Sequence, residues 1–391
     1  MQILQFTDFS KLDLARLPSP CYVVDEVAIE RNLRILRHVA DASGAKVLAA
    51  LKAFSCWRLG ALTTRYLSGS CASGLHEARL GHEHYGGEVH VFGAGYHEAD
   101  LQQILEIAHH VVFNSCGQWR RFRPLCLAAQ QRRPELRFGL RINPEHSEGD
   151  IPIYDPCAPG SRLGILRSQL DVDSLEGISG LHFHTLCEHD FPPLARTLAA
   201  VEEKFGDLLP RMDWVNFGGG HHITRPDYQV DELIACIREF AARHQVQVYL
   251  EPGEAVAIGS GVLVSEVLDL TWNALDQAIL DCSATCHMPD TLEMPYRAEV
   301  MDADAPGVLP HTYRLGGLTC LAGDVIGDYS FRQPLQVGQR VVFKDMAHYT
   351  MVKTSTFNGT RLPAIALWNS ETDALEIVRR FDYEDFQQRL S

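Results

Sequence analysis

Short apolar runs alternate with stretches whose apolar positions recur at helical spacing through roughly the first two-thirds of the chain, the pattern of repeated β/α units. Cys21-Tyr-Val-Val24 reads as a strand, and Asp25 stands where it would cap a following helix. In that helix Val27, Ala28, Leu33, Ile35, Leu36 and Val39 recur with a helical period, and Gly44 lies where it should end. Further strands are expected at 47–51, 89–92, 111–113, 138–142, 181–183, 214–217 and 248–250. Polar or glycine-rich segments follow most of them. Roughly eight such units would close a TIM-type (β/α)8 barrel, whose functional residues sit just after the strands.

Beyond about residue 280 the texture changes to Gly, Pro and short apolar runs, as in Tyr313-Arg-Leu315 and Val341-Val-Phe343, with Val337-Gly338 as a turn signal. The expected fold is therefore α/β: a barrel over 23–280 and a mostly β domain over 281–391. Residues 1–22 are expected to pack with the β domain.

Several candidate groups stand at strand ends. Lys52 closes the run Val47-Leu-Ala-Ala-Leu-Lys52, where it either snorkels into solvent or, if desolvated, serves as a Schiff-base nucleophile. In Trp214-Val-Asn-Phe-Gly-Gly-Gly-His221 three glycines follow a strand; they form a tight turn or let the backbone approach an anion. Tyr249-Leu-Glu-Pro-Gly-Glu254 fixes Glu251 at another strand end, where a carboxylate can pair with a protonated ring nitrogen or sit on a surface turn. Gly180-Leu-His-Phe-His-Thr-Leu-Cys187 puts His182 and His184 on one face of a strand, with His184 nearer the end. Cys187, Glu188 and His189, or Cys282, Cys286 and His287, offer metal-ligand chemistry, but neither set has a paired zinc spacing and no metal is expected. Cys320-Leu-Ala-Gly-Asp324 joins a thiol to a carboxylate, and Tyr349 carries a hydroxyl that could meet a phosphate.

In combination and order, these motifs resemble the alanine-racemase-like, fold-type III pyridoxal-phosphate enzymes, which include diaminopimelate, ornithine and arginine decarboxylases. The likeness runs from about Pro18 to about Ala366. A narrower likeness, to the branch acting on carboxynorspermidine and carboxyspermidine in polyamine synthesis, rests on Ala50-Leu-Lys-Ala53, Phe183-His-Thr-Leu-Cys-Glu188, Asn216-Phe-Gly-Gly-Gly220, Glu251-Pro-Gly-Glu254 and Cys282-Ser-Ala-Thr-Cys-His-Met-Pro-Asp290. The resemblance implies pyridoxal 5'-phosphate held by Lys52, with His184 against its ring, Glu251 on its nitrogen, and Gly219, Gly220, Gly253 and Tyr349 among the cofactor-binding residues. It implies Cys320 as the acid, Asp324 as a contact for the substrate amine, and a head-to-tail homodimer in which those two come from the partner subunit. Where ornithine and diaminopimelate decarboxylases usually carry arginine after Glu-Pro-Gly, this chain has Glu254. A carboxylate there calls for a cation, and Glu254, Asp290 and Asp324 are expected to bind the ammonium groups of a long cationic substrate.

Composition narrows the alternatives. A formal charge of −15 in 391 residues argues against a nucleic-acid partner, whose phosphates need Lys and Arg patches, and suits a cationic substrate. Eleven scattered cysteines fit a reducing cytoplasm. No run of about eighteen apolar residues predicts a membrane span, and the N-terminus lacks the basic-then-apolar order of a secretion signal. Other readings of the same scaffold are a decarboxylase or racemase of another basic amino acid, a non-catalytic cofactor carrier, and a metal-dependent barrel hydrolase.

Overall fold

The computed structural model describes residues 7–149 and 151–391. The described residues divide into two compact units: one spans Glu30–Val256, and the other joins Thr7–Ile29 to Ala257–Ser391. Strand β1 (Cys21–Asp25) is followed by β2 (Lys46–Ala50), β3 (Gly69–Ala72), β4 (Glu88–Gly93), β5 (His110–Phe113) and β6 (Arg137–Asn143). The short β7 (Ile165–Leu166) leads to β8 (Gly180–His182), β9 (Trp214–Asn216) and β10 (Gln247–Leu250).

In the first unit β2, β3, β4, β5, β6, β8, β9 and β10 pair in parallel, each with the next, and β10 returns to β2. The barrel is closed, so no strand edge is left to satisfy. Trp214 and Tyr249 pack with Leu48 and Val112 as a buried cluster. Two glycines make room for the indole: a Cβ on Gly180 would lie 2.0 Å from the Trp214 ring, and one on Gly139 2.4 Å. At about 25 cal/mol per Å2, an aromatic side chain burying roughly 200 Å2 contributes about 5 kcal/mol before the entropy of ordering it, which explains why the small residues are kept.

The second unit contains β1 with β11 (Gly261–Asn273), β12 (Leu275–Leu280), β13 (Ala303–Asp304), β14 (His311–Gly316), β15 (Val325–Phe331), β16 (Arg340–Lys344), β17 (Ala364–Asn369) and β18 (Ala374–Arg379). They form one mixed sheet in the order β13-β15-β14-β12-β11-β1-β17-β18, with β16 on β11. Its core gathers Phe9, Leu12 and Leu17 with Cys21, Val23, Val262, Val264, Val342, Ala366 and Trp368.

Two expectations change. The strand read at Cys21–Val24 forms, but it lies between β11 and β17, antiparallel to one and parallel to the other, and is not a barrel strand. The eighth barrel strand is β3, whose Gly-Ser-Cys-Ala sequence carries no apolar run to announce it. The division of the chain falls at Ile29/Glu30 and Val256/Ala257, not at 22/23 and 280/281. The reason lies in β11: its first four residues, Gly261-Val-Leu-Val264, are buried and apolar enough to read as one more barrel strand, yet they pair with β1 and β16. Among the described residues no helix is long and apolar enough to cross a membrane.

Candidate functional site

The functional side chains of the first unit gather at the C-terminal ends of the barrel strands. Lys52 follows β2 in a turn where the Ala53 and Phe54 amides both donate to the Ala50 carbonyl. Its Nζ lies 3.0 Å from His184 Nε2, just beyond β8. Solvent reaches the Lys52 side chain, but protein crowds the amine. That desolvation holds its pKa below the ordinary lysine value; Arg141 acts in the same direction, while Cys71, Glu251 and Cys187 oppose it. An amine so placed is more readily neutral and nucleophilic.

The His184 ring is fixed at its other nitrogen. Nδ1 is 3.1 Å from the Gly219 amide nitrogen and 3.1 Å from the Gly219 carbonyl oxygen. Burial, then the neighbouring Lys52 and Arg141 cations, push its pKa well below the usual histidine value, so the ring is neutral. Which of the two Gly219 groups it pairs with depends on the tautomer.

Glu251 directly follows β10, its amide donating to the Gly218 carbonyl at 2.7 Å. Asn216 Nδ2 donates to Oε1 at 2.7 Å, and His182 Nε2 stands 3.2 Å from Oε2. Burial alone would raise this carboxyl. His182 and Asn216, with His90 contributing from deeper in the barrel, outweigh it and bring the pKa down to about 2. Burial holds His182 below its ordinary value despite Glu251, so at neutral pH it meets the carboxylate as a neutral N–H donor. Register explains the gathering: Arg141 of β6 lies opposite His182 of β8, which lies opposite Asn216 of β9. Arg141 donates to the His184 carbonyl at 2.9 Å and stacks its guanidinium on Phe92.

The glycine run is sterically obligatory. Gly218 and Gly220 have φ of 70° and 83°, and a Cβ on Gly220 would meet the Leu186 carbonyl oxygen at 1.8 Å. One on Gly219 would stand 2.1 Å from the Glu251 carbonyl oxygen. Gly253 packs against Ala53, where a Cβ would come within 2.7 Å of that side chain. Glu254 opens the short helix Glu254–Ala257, with Oε2 3.3 Å from His222 Nε2.

The other expected residues belong to the second unit. Cys320 is an exposed free thiol, and its amide donates to Asn358 Oδ1 at 3.0 Å. Asp324 is buried: Ser283 Oγ donates to both of its oxygens, Thr319 donates through Oγ1 at 2.7 Å, and the Thr285 and Thr319 amides add two more bonds. Those bonds tie down the loop carrying Cys320 and saturate the carboxylate, so Asp324 is not presented as a free contact for an amine. Asp290 pairs with Lys353 at 2.5 Å, and Lys353 also pairs with Glu293. Tyr349 sits in the loop after β16 at φ 23°, an uncommon conformation for a bulky residue.

His182, Asn216 and Arg141 were not singled out for these roles. Arg141 had a signal, a cation inside the apolar run Phe138-Gly-Leu-Arg-Ile142. Asn216 had none beyond its place before the glycines. Among the described residues, the group of side chains within reach of one ion is Glu88, His90 and His110, toward the start of β4 and β5. Lys46 already ion-pairs with Glu88, and the two imidazoles stack face to face at 3.9 Å, so the group is arranged as a buried charge cluster with a cation of its own.

The residues present suit a pyridine aldehyde bearing a phosphate: a desolvated amine, an anchored carboxylate kept ionised, a neutral imidazole beside the amine, and a glycine turn that no side chain could occupy. Comparison with known proteins agrees. The family model described as pyridoxal-dependent decarboxylase, C-terminal sheet domain, matches residues 21–347. The chain is similar to a carboxyaminopropylagmatine decarboxylase of Synechocystis, 45% identical over 379 residues covering 96% of each chain. It is similar to a carboxynorspermidine/carboxyspermidine decarboxylase of Campylobacter jejuni, 40% identical over 96% of this chain and 99% of the other. Among solved structures it resembles carboxynorspermidine decarboxylase from Campylobacter jejuni complexed with norspermidine, with a TM-score of 0.87, 40% identity, and coverage of 95% of this chain and 100% of that one.

Proposed function

This chain belongs to the pyridoxal-dependent decarboxylases, and we propose that it removes the carboxylate of a carboxy-polyamine such as carboxynorspermidine or carboxyspermidine, giving norspermidine or spermidine. The observation that carries the reading is the approach of Lys52 Nζ to His184 Nε2 beside an ionised Glu251, in a chain 40% identical to an enzyme solved with norspermidine.

Pyridoxal phosphate, when bound, supplies an electron sink for the pair left behind by departing carbon dioxide. The chain's residues do the rest. Lys52 would hold the cofactor through its aldehyde and yield that place to the substrate's α-amine. Glu251, kept anionic by Asn216 and His182, would keep a proton on the ring nitrogen. His184 would flank the ring, and Gly219, Gly220 and Tyr349 would take the phosphate. Cys320 returns a proton to the carbon that lost the carboxylate, so each turnover consumes one proton and releases one carbon dioxide. Glu254 faces the cationic chain of the substrate; Asp324 organises the Cys320 loop, and Asp290 acts with Lys353.

The reading includes a homodimer in which Cys320 serves the partner's site. It also includes a reducing cytoplasmic location, supported by eleven free thiols. A second substrate, carboxyaminopropylagmatine, is favoured by the 45% identity to the Synechocystis enzyme. Both substrates offer internal ammonium groups to Glu254; they differ at the distal end, amine against guanidinium.

The test is product analysis. Protein supplied with pyridoxal phosphate is given carboxynorspermidine, carboxyspermidine, carboxyaminopropylagmatine, diaminopimelate, ornithine and arginine, with carbon dioxide and amine measured together. Turnover confined to the carboxy-polyamines supports the reading; preference for an ordinary amino acid, or racemisation without carbon dioxide, refutes it.

A further inference from the structure

His222 stands two residues beyond the glycine run, and its imidazole has no place in the chemistry described so far. Its backbone is already fastened: the amide donates to the His189 carbonyl at 2.9 Å, and its carbonyl accepts from Arg225 at 2.9 Å. The ring therefore does no backbone fastening. The residue is 92% buried, since 8% of it remains exposed, and neither ring nitrogen has an aligned hydrogen-bond partner. Nε2 nevertheless points at one group, Glu254 Oε2, at 3.3 Å. A buried imidazole nitrogen without a partner is costly, so a ring aimed at a carboxylate is a contact waiting to tighten.

Glu254 is correspondingly constrained. Its short helix is pinned when Thr224 Oγ1 donates to the Ala255 carbonyl at 2.7 Å, two residues along from His222. The carboxylate is 18% exposed, so it is partly open on a side His222 does not cover. Cys187 reports which way it faces: after burial, Glu188 and Glu254 raise its thiol, while Lys52 lowers it, so Glu254 and Lys52 act on one space. The His222 ring narrows the rotamers open to Glu254, so less of its attraction for a cation is lost to entropy.

We propose that His222 is a positioning residue that holds Glu254, through Nε2, in the orientation that receives a substrate ammonium group, and so sets the enzyme's selectivity for cationic chains. The inference rests on the carboxy-polyamine reading and deepens it. An imidazole N–H aimed at one carboxylate oxygen fixes the orientation of Glu254 and leaves its other oxygen to the incoming cation.

The experiment compares holoenzyme variants on carboxynorspermidine. His222→Ala is expected to raise KM about tenfold with kcat within about twofold and an unchanged cofactor absorbance band, because a binding contact is lost uniformly. In a Glu254→Gln background the same change is expected to move KM less than twofold, as for residues acting in one chain. His222→Gln, whose amide nitrogen reaches about as far as Nε2, is expected to recover wild-type KM; His222→Asn is not, and this pair serves if the alanine variant fails to fold. An equal KM effect in both backgrounds, equal KM for Gln and Asn, or a loss confined to kcat or cofactor occupancy overturns the positioning role. A wild-type protein inert on every carboxy-polyamine overturns the underlying reading, and the inference falls with it.

Discussion

Lys52 and His184 share a proton position that reaches the glycine turn. If Lys52 is an ammonium, it donates to Nε2 and the His184 Nδ1–H faces the Gly219 carbonyl; if Lys52 is neutral, Nε2–H donates to it and Nδ1 accepts from the Gly219 amide. One proton thus links the amine's state to the backbone beside the glycine run. Burial disfavours the charged form of both groups.

Replacing Lys52 by alanine is expected to abolish decarboxylation and the visible absorbance of the bound cofactor together. Spectra and carbon dioxide release measure both. Retention of either at near wild-type level removes Lys52 from the chemistry.

Glu251→Gln is expected to leave cofactor bound while kcat falls by about 10²–10³, since a neutral amide cannot hold a proton on the ring nitrogen. A kcat within tenfold of wild type contradicts the assignment.

The same residue gives a pH signature. Its carboxyl is depressed from about 4.5 to about 2, so its contribution to stability is complete above about pH 4.5 and is lost as pH falls toward 2. The contribution is on the order of 1–2 kcal/mol, discounted because His182 is neutral at neutral pH. Urea unfolding of wild type and Glu251→Gln without cofactor should converge as pH falls from about 4.5 toward about 2. A stability difference that does not change with pH speaks against the depressed carboxyl.

Gly220→Ala is expected to destabilise the protein by about 1–3 kcal/mol and to weaken cofactor binding, because φ is 83° and the new methyl would collide with the Leu186 carbonyl. Thermal unfolding and cofactor titration measure the two effects. An unchanged midpoint would mean the turn can relax.

Asp324→Asn should shorten the lifetime of the Cys320 loop, seen as faster amide exchange over 317–325, with a fall in kcat larger than the rise in KM. The reason is that Asp324 is spent on Ser283, Thr285 and Thr319. Cys320→Ala should lower kcat with cofactor absorbance unchanged. A rise in KM alone for Asp324→Asn would return that residue to the substrate.

The sequence by itself determined the alternation of strands and helices, and with it the barrel, because burial on both faces of a parallel strand writes an apolar run that is legible locally. It also determined the chemical groups at strand ends: Lys52, His184, the glycine run, Glu251 and Glu254. Only the tertiary structure decided which strands close the barrel. β3 is four small residues held by its neighbours' register, and β1 and the start of β11 are apolar runs that a different sheet claims. Only the fold brought Arg141, His182 and Asn216 into one layer beneath Glu251, since cross-strand register is a property of pairs distant in sequence. Asp324 shows the same limit from the other side. A carboxylate written beside a thiol is legible as chemistry, but whether it faces a substrate or four protein donors, two of them about forty residues away, depends on contacts no local pattern records.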